Sequence, residues 1–487
     1  MYNISQIITN DLLNSVFSNF YSYISNLANP FDLRYSVFNY AHMVETLNDA
    51  IYNFALLLLK DAIEKIDSDW RNRPDRVSRY YVKQTRSRTI ITLFGVLTYT
   101  RTIYIDRHTN ESYCHVDSLL GLSAGIKYDP CVRAKAAELY SYHNSMLKVG
   151  RILGEQIFCR FSTSKDGNDY AIPRQTIQSF ILDFNFISTS FHKMKNTPNI
   201  LYIMADEKWI PLQERNSEGK PTKLMSRAVI IFEDCINEYK SSNLGLKQRH
   251  KLIGKTRVFG SDNDIWLKVE DALMQLYDLD NVKHIHLMGD GASWIKSGVD
   301  ALSNATYSTD FTLDAFHLNQ ALLRITNDNE ERDALRNSIY ELKSRSVFKN
   351  ACTALRELYP EREQTIESNM NYILNNWVPI MSRIERVSMP CAMESSICHD
   401  ICNTFTSVPK AYKSKSLRIY LQNRMHYLNG TSMIPLFLHA YDKKKEDDSD
   451  IDLSDPYHYS SASSSSSYQQ LDFVKNFGSR SNIFNSY

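Results

Sequence analysis

No long hydrophobic run, no excess of charge of either sign and no paired cysteine motif marks this sequence of 487 residues. Its longest apolar stretches, such as Phe54-Ala55-Leu56-Leu57-Leu58-Leu59, fall far short of the roughly 18 residues that suggest a membrane span, so no membrane association is expected. The start, Met1-Tyr2-Asn3-Ile4 with Asp11 soon after, has neither the basic opening nor the apolar middle of a secretory signal. Eight cysteines, at Cys114, Cys131, Cys159, Cys235, Cys352, Cys391, Cys398 and Cys402, form no CxxC pair and no disulfide-dense spacing, and read as reduced thiols of a cytoplasmic protein. What is present is 43% hydrophobic and 12% aromatic residues, enough for large cores, with 56 Lys+Arg balanced by 55 Asp+Glu. At roughly 100–200 residues per domain, the length allows about three units.

The balance of charge hides local patterns. In residues 1–70, Phe38, Ala41, Val44, Leu47, Ile51, Phe54 and Leu58 recur at three- and four-residue steps and predict a long helix over about 35–67. Residues 71–128 then carry Arg71, Arg73, Arg76, Arg79, Lys83, Arg86, Arg88, Arg101 and Arg107, and two alternating runs, 88–94 and 97–104, meet near Gly95 as a basic β-hairpin. Such a row suits phosphates of a nucleic acid; a solvated hairpin surface is the equally weighted alternative. Over 129–190 three helices are predicted, at 132–142, at 146–157 and after Pro173, whose ring suits a first helical position and leaves Arg174, Gln175 and Thr176 at an exposed start. This order allows a helix-turn-helix or an ordinary helical bundle.

From 196 to 325 strands and helices alternate. The stretch 200–205 is apolar on both faces, as a central strand should be, strands at 227–232 and 255–259 follow, then a helix over 264–279 and a strand at 283–288. The order predicts a mixed sheet that opens as an antiparallel meander, the ribonuclease H type of fold. Residues 326–390 lose strand character, with helical runs at 331–347, 353–358 and 363–377, and read as an all-helical insertion before the sheet domain resumes over 391–435. The tail 443–487, with its serine run, is too polar for a core and is expected to be disordered. The fold class is therefore multidomain α+β and α/β.

Asp206 follows one predicted strand and Asp290 another, and in such a sheet both ends are adjacent. Gly289 and Gly291 let the backbone turn sharply and leave room around the Asp290 carboxylate. Converging carboxylates repel unless a cation sits between them, and an all-oxygen set suits Mg²⁺, with Mn²⁺ equally allowed. Two such ions want a third carboxylate, for which Asp314, Glu363, Glu385, Glu394 and Asp400 are candidates that composition does not separate.

The strings Tyr202-Ile203-Met204-Ala205-Asp206-Glu207, Leu212-Gln213, Gly289-Asp290-Gly291-Ala292-Ser293-Trp294-Ile295 and Asp314-Ala315-Phe316-His317-Leu318 resemble the ISLre-two family of bacterial insertion-sequence transposases. The likeness covers about residues 70–430, and includes Arg86-Ser87-Arg88 and Phe94-Gly95 ahead of the catalytic part and Asn429-Gly430 at its end. It implies a DDE transposase that cleaves element ends and joins them to target DNA with two Mg²⁺ ions held by Asp206, Asp290 and Glu394. By the same likeness Gly289, Gly291, Trp294, Asp314 and His317 shape the site, and the partner is double-stranded DNA, bound by at least a homodimer. Lys83, Arg86, Arg88 and Arg101 would hold phosphates, and Arg174, Gln175 and Thr176 would read the terminal repeat. Lys247, Arg249 and Lys251, with Lys255 and Arg257, form a second phosphate track or a solvated loop. The sequence departs from the family pattern at Ser395, where Gly is expected, at Thr404 and Val408, where Arg is expected, and at Tyr412, where Trp is expected. A catalytically inactive DNA-binding remnant and a structure-specific nuclease are the competing readings.

Overall fold

The computed structural model describes residues 36–438, apart from 123–124, 159–170, 187–190, 238–249, 388, 390, 391 and 408–409, together with residues 14, 17, 18 and 21. The low-complexity tail lies outside the described residues. Helix α1 (Ser36–Arg71) packs on a hairpin of β1 (Tyr80–Thr92) and β2 (Gly95–Asp106), both strands longer than the sequence pattern suggests. Ile63 and Ile66 of the helix meet Ile90, Leu97 and Tyr99 of the hairpin in a small core. The buried Asp67 carboxylate fastens the two by accepting from the Thr102 backbone N–H at 3.0 Å and its hydroxyl at 2.6 Å.

Helices α2 (Pro130–His143), α3 (Met146–Phe158) and α4 (Arg174–Leu182) come next. Asp129 caps the first of them, its side chain accepting from the Val132 N–H at 2.7 Å. Their apolar faces, through Val132, Ala136, Leu153, Ile177 and Ile181, run into one core with Met204, Ile230, Phe232 and Met288 of the central sheet. The three helices are thus a layer on that sheet, and the 159–170 link that a helix-turn-helix would need lies outside the described residues.

The sheet consists of β3 (Ile200–Arg215), β4 (Pro221–Phe232), β5 (Thr256–Gly260), β6 (His284–Gly289) and β7 (Ser308–Leu313), in the order β7-β6-β3-β4-β5. The first three strands in sequence pair antiparallel, and β6 and β7 join parallel to β3. This is the ribonuclease H-like arrangement. Alternation sends Leu201, Ile203 and Ala205 to the face covered by α5 (Ile265–Leu276) and α6 (Ser293–Leu302), and Met204 to the opposite face. Both faces are covered, which explains the unbroken apolar run.

Among the described residues five α-helices stand between β7 and the return to the sheet, the first ahead of the 326–390 stretch read as the insertion: α7 (Ala315–Ile325), α8 (Asn329–Tyr340), α9 (Arg345–Leu358), α10 (Glu363–Asn375) and α11 (Trp377–Arg386). They bury their own core, including Leu322, Ile339, Phe348, Ile373 and Trp377. The helical run expected over 331–347 is broken in two: Lys343 takes a left-handed φ of 48° and the Ser344 hydroxyl caps α9 by accepting from the Val347 N–H. After the insertion, α12 (Met393–Ile397) passes through a π-turn, Cys398–Cys402, into Asn403–Phe405, and α13 (Ser414–Leu428) closes the layer over α2, α4 and β5. Among the described residues, no helix is long and apolar enough to cross a membrane, and Cys114, Cys131, Cys235, Cys352, Cys398 and Cys402 are free thiols.

Candidate active site

Asp206 does not end its strand. β3 runs on to Arg215, but its parallel neighbour β6 stops pairing at Met204↔Met288, and beyond that point Asp206 is paired only with Ala228 of β4. The carboxylate therefore stands beside the end of β6, 9% exposed, with one oxygen accepting from the Glu207 N–H at 2.7 Å.

Asp290 follows β6 directly. Its carboxylate accepts from the Ala292 N–H at 2.8 Å, and the Tyr372 hydroxyl donates to its carbonyl at 2.6 Å. The flanking glycines answer to packing more than to space around the carboxylate. A Cβ on Gly289 would lie 2.9 Å from Ile295 and 3.0 Å from the Ala205 carbonyl, and Gly291 has φ +91° with Asn376 2.9 Å from where its Cβ would be.

Glu394 is the exposed second residue of α12, whose Met393 and Ile397 are buried in the core beside Met204. Ligand atoms of Asp206, Glu394 and His317 all lie within 4.8 Å of one another. Asp314 stands beside this histidine. It caps α7 by accepting from the Phe316 N–H at 3.0 Å, its own N–H donates to the Gly289 carbonyl at 2.9 Å, and its second oxygen lies 3.5 Å from His317 Nδ1. Asp290, His317, Gln320, Arg324, Tyr372 and Glu394 line a cleft of about 520 Å³. Trp294 stands to one side, donating through its indole N–H to Glu207 at 2.5 Å under the Arg227 guanidinium.

The electrostatics follow from this crowding. Burial, together with the charges of Asp290 and Glu394, pushes the Asp206 carboxyl up to about 6 against the pull of the Glu207 N–H and His317. Asp314 raises the His317 pKa against burial, and Asp206 and Asp290 add to the rise. Carboxylates that converge this closely on an open cleft fit a hard divalent cation, and the donor set contains oxygen and one imidazole but no thiolate. The other acids considered as third ligand have partners elsewhere. Asp400 is buried on Arg257 at 2.7 Å, Glu363 pairs with Arg356 at 2.5 Å, and Glu385 lies 3.5 Å from Lys343.

Tyr372, Arg324, Gln320 and Asn376 reach the site from the helices that follow β7, and no motif in the sequence signals them. The basic residues divide. Lys83, Arg86, Arg174, Gln175 and Lys251 are exposed and Thr176 is half-buried. Arg88 turns inward, 8% exposed, onto Asp117 at 2.8 Å and the Leu122 and Ile126 carbonyls, and Arg101 joins Asp117 at 3.1 Å. Those two side chains are committed to holding the hairpin against the loop that follows it, which removes them from a phosphate-binding row. Lys255 and Arg257 likewise turn to Asp400, while Lys247 and Arg249 lie outside the described residues. Thr404 and Tyr412 are buried, Ser395 donates to the Ala392 carbonyl at 2.9 Å, and Val408 lies outside the described residues.

The sequence model of a family described as Uncharacterised protein family (UPF0236) matches residues 34–435. Among similar proteins is a UPF0236 protein of Caldanaerobacter subterraneus subsp. tengcongensis whose name joins eleven loci of that genome; it is 25% identical over 424 residues, 85% of this chain and 84% of its own length. Another from the same organism, with four loci in its name, is 25% identical over 404 residues, 82% of this chain and 80% of its own.

Proposed function

The chain belongs to the UPF0236 family, and from that premise we propose that it is a DDE transposase of the ISLre-two type, which cleaves DNA at the ends of an insertion sequence and joins them to a target. The observation that carries this reading is the grouping of Asp206, Glu394 and His317 within 4.8 Å of one another, with Asp290 lining the cleft beside Glu394 and His317 and its charge acting on Asp206, at the strand ends of a ribonuclease H-like sheet. The many loci gathered under one name in a relative's genome support it, since a self-copying element multiplies its own gene.

Asp206, Asp290 and Glu394 would hold two Mg²⁺ or Mn²⁺ ions, which when bound supply the activation of an attacking oxygen and the stabilisation of a leaving one in phosphodiester chemistry. The chain's own groups prepare that chemistry. The Glu207 and Ala292 N–H groups fix the Asp206 and Asp290 carboxylates, and the Asp314 carboxylate, 3.5 Å from His317 Nδ1, places negative charge behind an imidazole that lies among the Asp206 and Glu394 ligand atoms. His317 stands within reach of the same atoms, so it acts as a further ligand or as a hydrogen-bond donor to phosphate, a larger part than shaping the wall. Arg324 lines the cleft as a cation suited to a phosphodiester. Lys83, Arg86, Arg174 and Lys251 supply exposed positive charge for the duplex, with Gln175 and Thr176 beside Arg174 as candidate base readers. Joining two element ends requires at least a dimer on DNA.

The test is Mg²⁺-dependent cleavage and joining of labelled element-end DNA by the wild-type protein beside Asp290→Asn. Cleavage and joining by the wild type, lowered at least about 100-fold in the variant, is the expected result. Cleavage without joining would make the protein a nuclease, and binding without cleavage an inactive remnant.

A further inference from the structure

A second group of ligand-type side chains lies at the other end of β6 from Asp290. His284 and His286 project from one face of that strand, and Asp310 projects from the neighbouring β7, where it pairs directly with His286. His284 Nε2 is 3.1 Å and His286 Nδ1 2.7 Å from the same oxygen of Asp310, and the three ligand atoms lie within 4.8 Å of one another. We propose that His284, His286 and Asp310 form a binding site for a borderline divalent transition metal of the Zn²⁺ class, separate from the carboxylate cleft, that fastens the edge strand β7 to β6.

Two ligands bound tetrahedrally at the usual Zn–N and Zn–O lengths stand roughly 3.3 Å apart, and both imidazole nitrogens already stand within about 0.6 Å of that separation from the Asp310 oxygen, at 3.1 and 2.7 Å. Imidazole nitrogens with a single carboxylate select Zn²⁺-like ions over Mg²⁺. Groups behind the ligands already fix their orientation. Ser308 Oγ lies 2.7 Å from His284 Nδ1, the Ser382 hydroxyl of α11 donates to the second Asp310 oxygen at 2.9 Å, and the Tyr202 ring stacks on His286 at 5.5 Å. The His284 and Asp310 side chains are 24% and 20% exposed, which leaves a path in and room for water as a fourth ligand.

The experiment titrates the full chain with Co²⁺ in an Asp290→Asn, Glu394→Gln background and reads the visible absorption of four-coordinate Co²⁺, with Zn²⁺ added last. A band that saturates stoichiometrically and is displaced by Zn²⁺ is expected, with affinity falling at least about 10-fold in His284→Gln and in Asp310→Asn. Removing the buried His286 threatens the fold, so these two partly exposed positions carry the test, with circular dichroism confirming that each variant is folded. No band, a band unchanged in both variants, or a thiolate-to-cobalt charge-transfer band in its place would overturn the proposal.

Discussion

Arg88 and Arg86 are two positions apart on β1 and point to the same face, yet have opposite fates, because Asp117, Leu122 and Ile126 close over Arg88 while Arg86 stays exposed. Arg88 is buried against Asp117, where its removal strands part of a charge network, so Arg88→Ala is expected to lower stability by about 3 kcal/mol in a denaturant melt. Arg86 and Lys83 are exposed, and their replacement by alanine is expected to leave the melt unchanged. Each replacement should reduce the salt dependence of DNA binding by a slope of about 1, measured by titration at several salt concentrations. A slope unchanged in both variants would take the hairpin out of the DNA-binding surface. Gly291 is a different case, since its φ of +91° and the Asn376 side chain both oppose a Cβ. Gly291→Ala should cost about 1–2 kcal/mol in the same melt, and equal stability would mean the turn relaxes freely.

At the scale of elements, α13 carries a buried ionisable group into the layer behind the sheet. His426 is 1% exposed, and burial holds its pKa down at about 4 against an ordinary 6.5. The unfolded chain thus takes up this proton first as pH falls. The stability it contributes is complete above about 6.5 and is lost between there and 4, on the order of 2–3 kcal/mol. His426→Gln should flatten that part of a stability-against-pH curve; an unchanged slope would show that His426 is not responsible. Elements with strong periodicity were legible: the two-sided apolar run of β3 follows from cover on both faces, and the helical spacing of α1 marks the helix correctly although Val44, Leu47 and Ile51 of its apolar stripe are exposed and its covered face runs through Ile63 and Ile66. Less legible were element ends set by partners distant in sequence. β3 continues past Ala205 because β4 pairs with it as far as Arg215, and the helical run over 331–347 breaks where Lys343 turns left-handed before the Ser344 cap. The carboxylates stood out by motif, whereas Tyr372 and Asn376 reach the site only through the packing of α10 and α11, which no local pattern encodes.

At the scale of the molecule, one sheet organises the half that carries the site: α2, α3, α4 and α13 share the core on one face, α5 and α6 cover the other, and the helices that follow β7 build a core of their own at its edge, while α1 and the β1–β2 hairpin form a separate small core. Glu394 joins the two aspartates only because the chain leaves the sheet at Leu313, completes five helices and returns along Met204. The site is therefore completed by a carboxylate far in sequence from Asp206 and Asp290. The most direct measurement is Mg²⁺-dependent cleavage of element-end DNA by Glu394→Gln beside Glu363→Gln, with DNA binding measured on both. Cleavage lost at least about 100-fold in Glu394→Gln, with binding retained and Glu363→Gln active, is the predicted result. Full cleavage by Glu394→Gln would contradict the site as drawn.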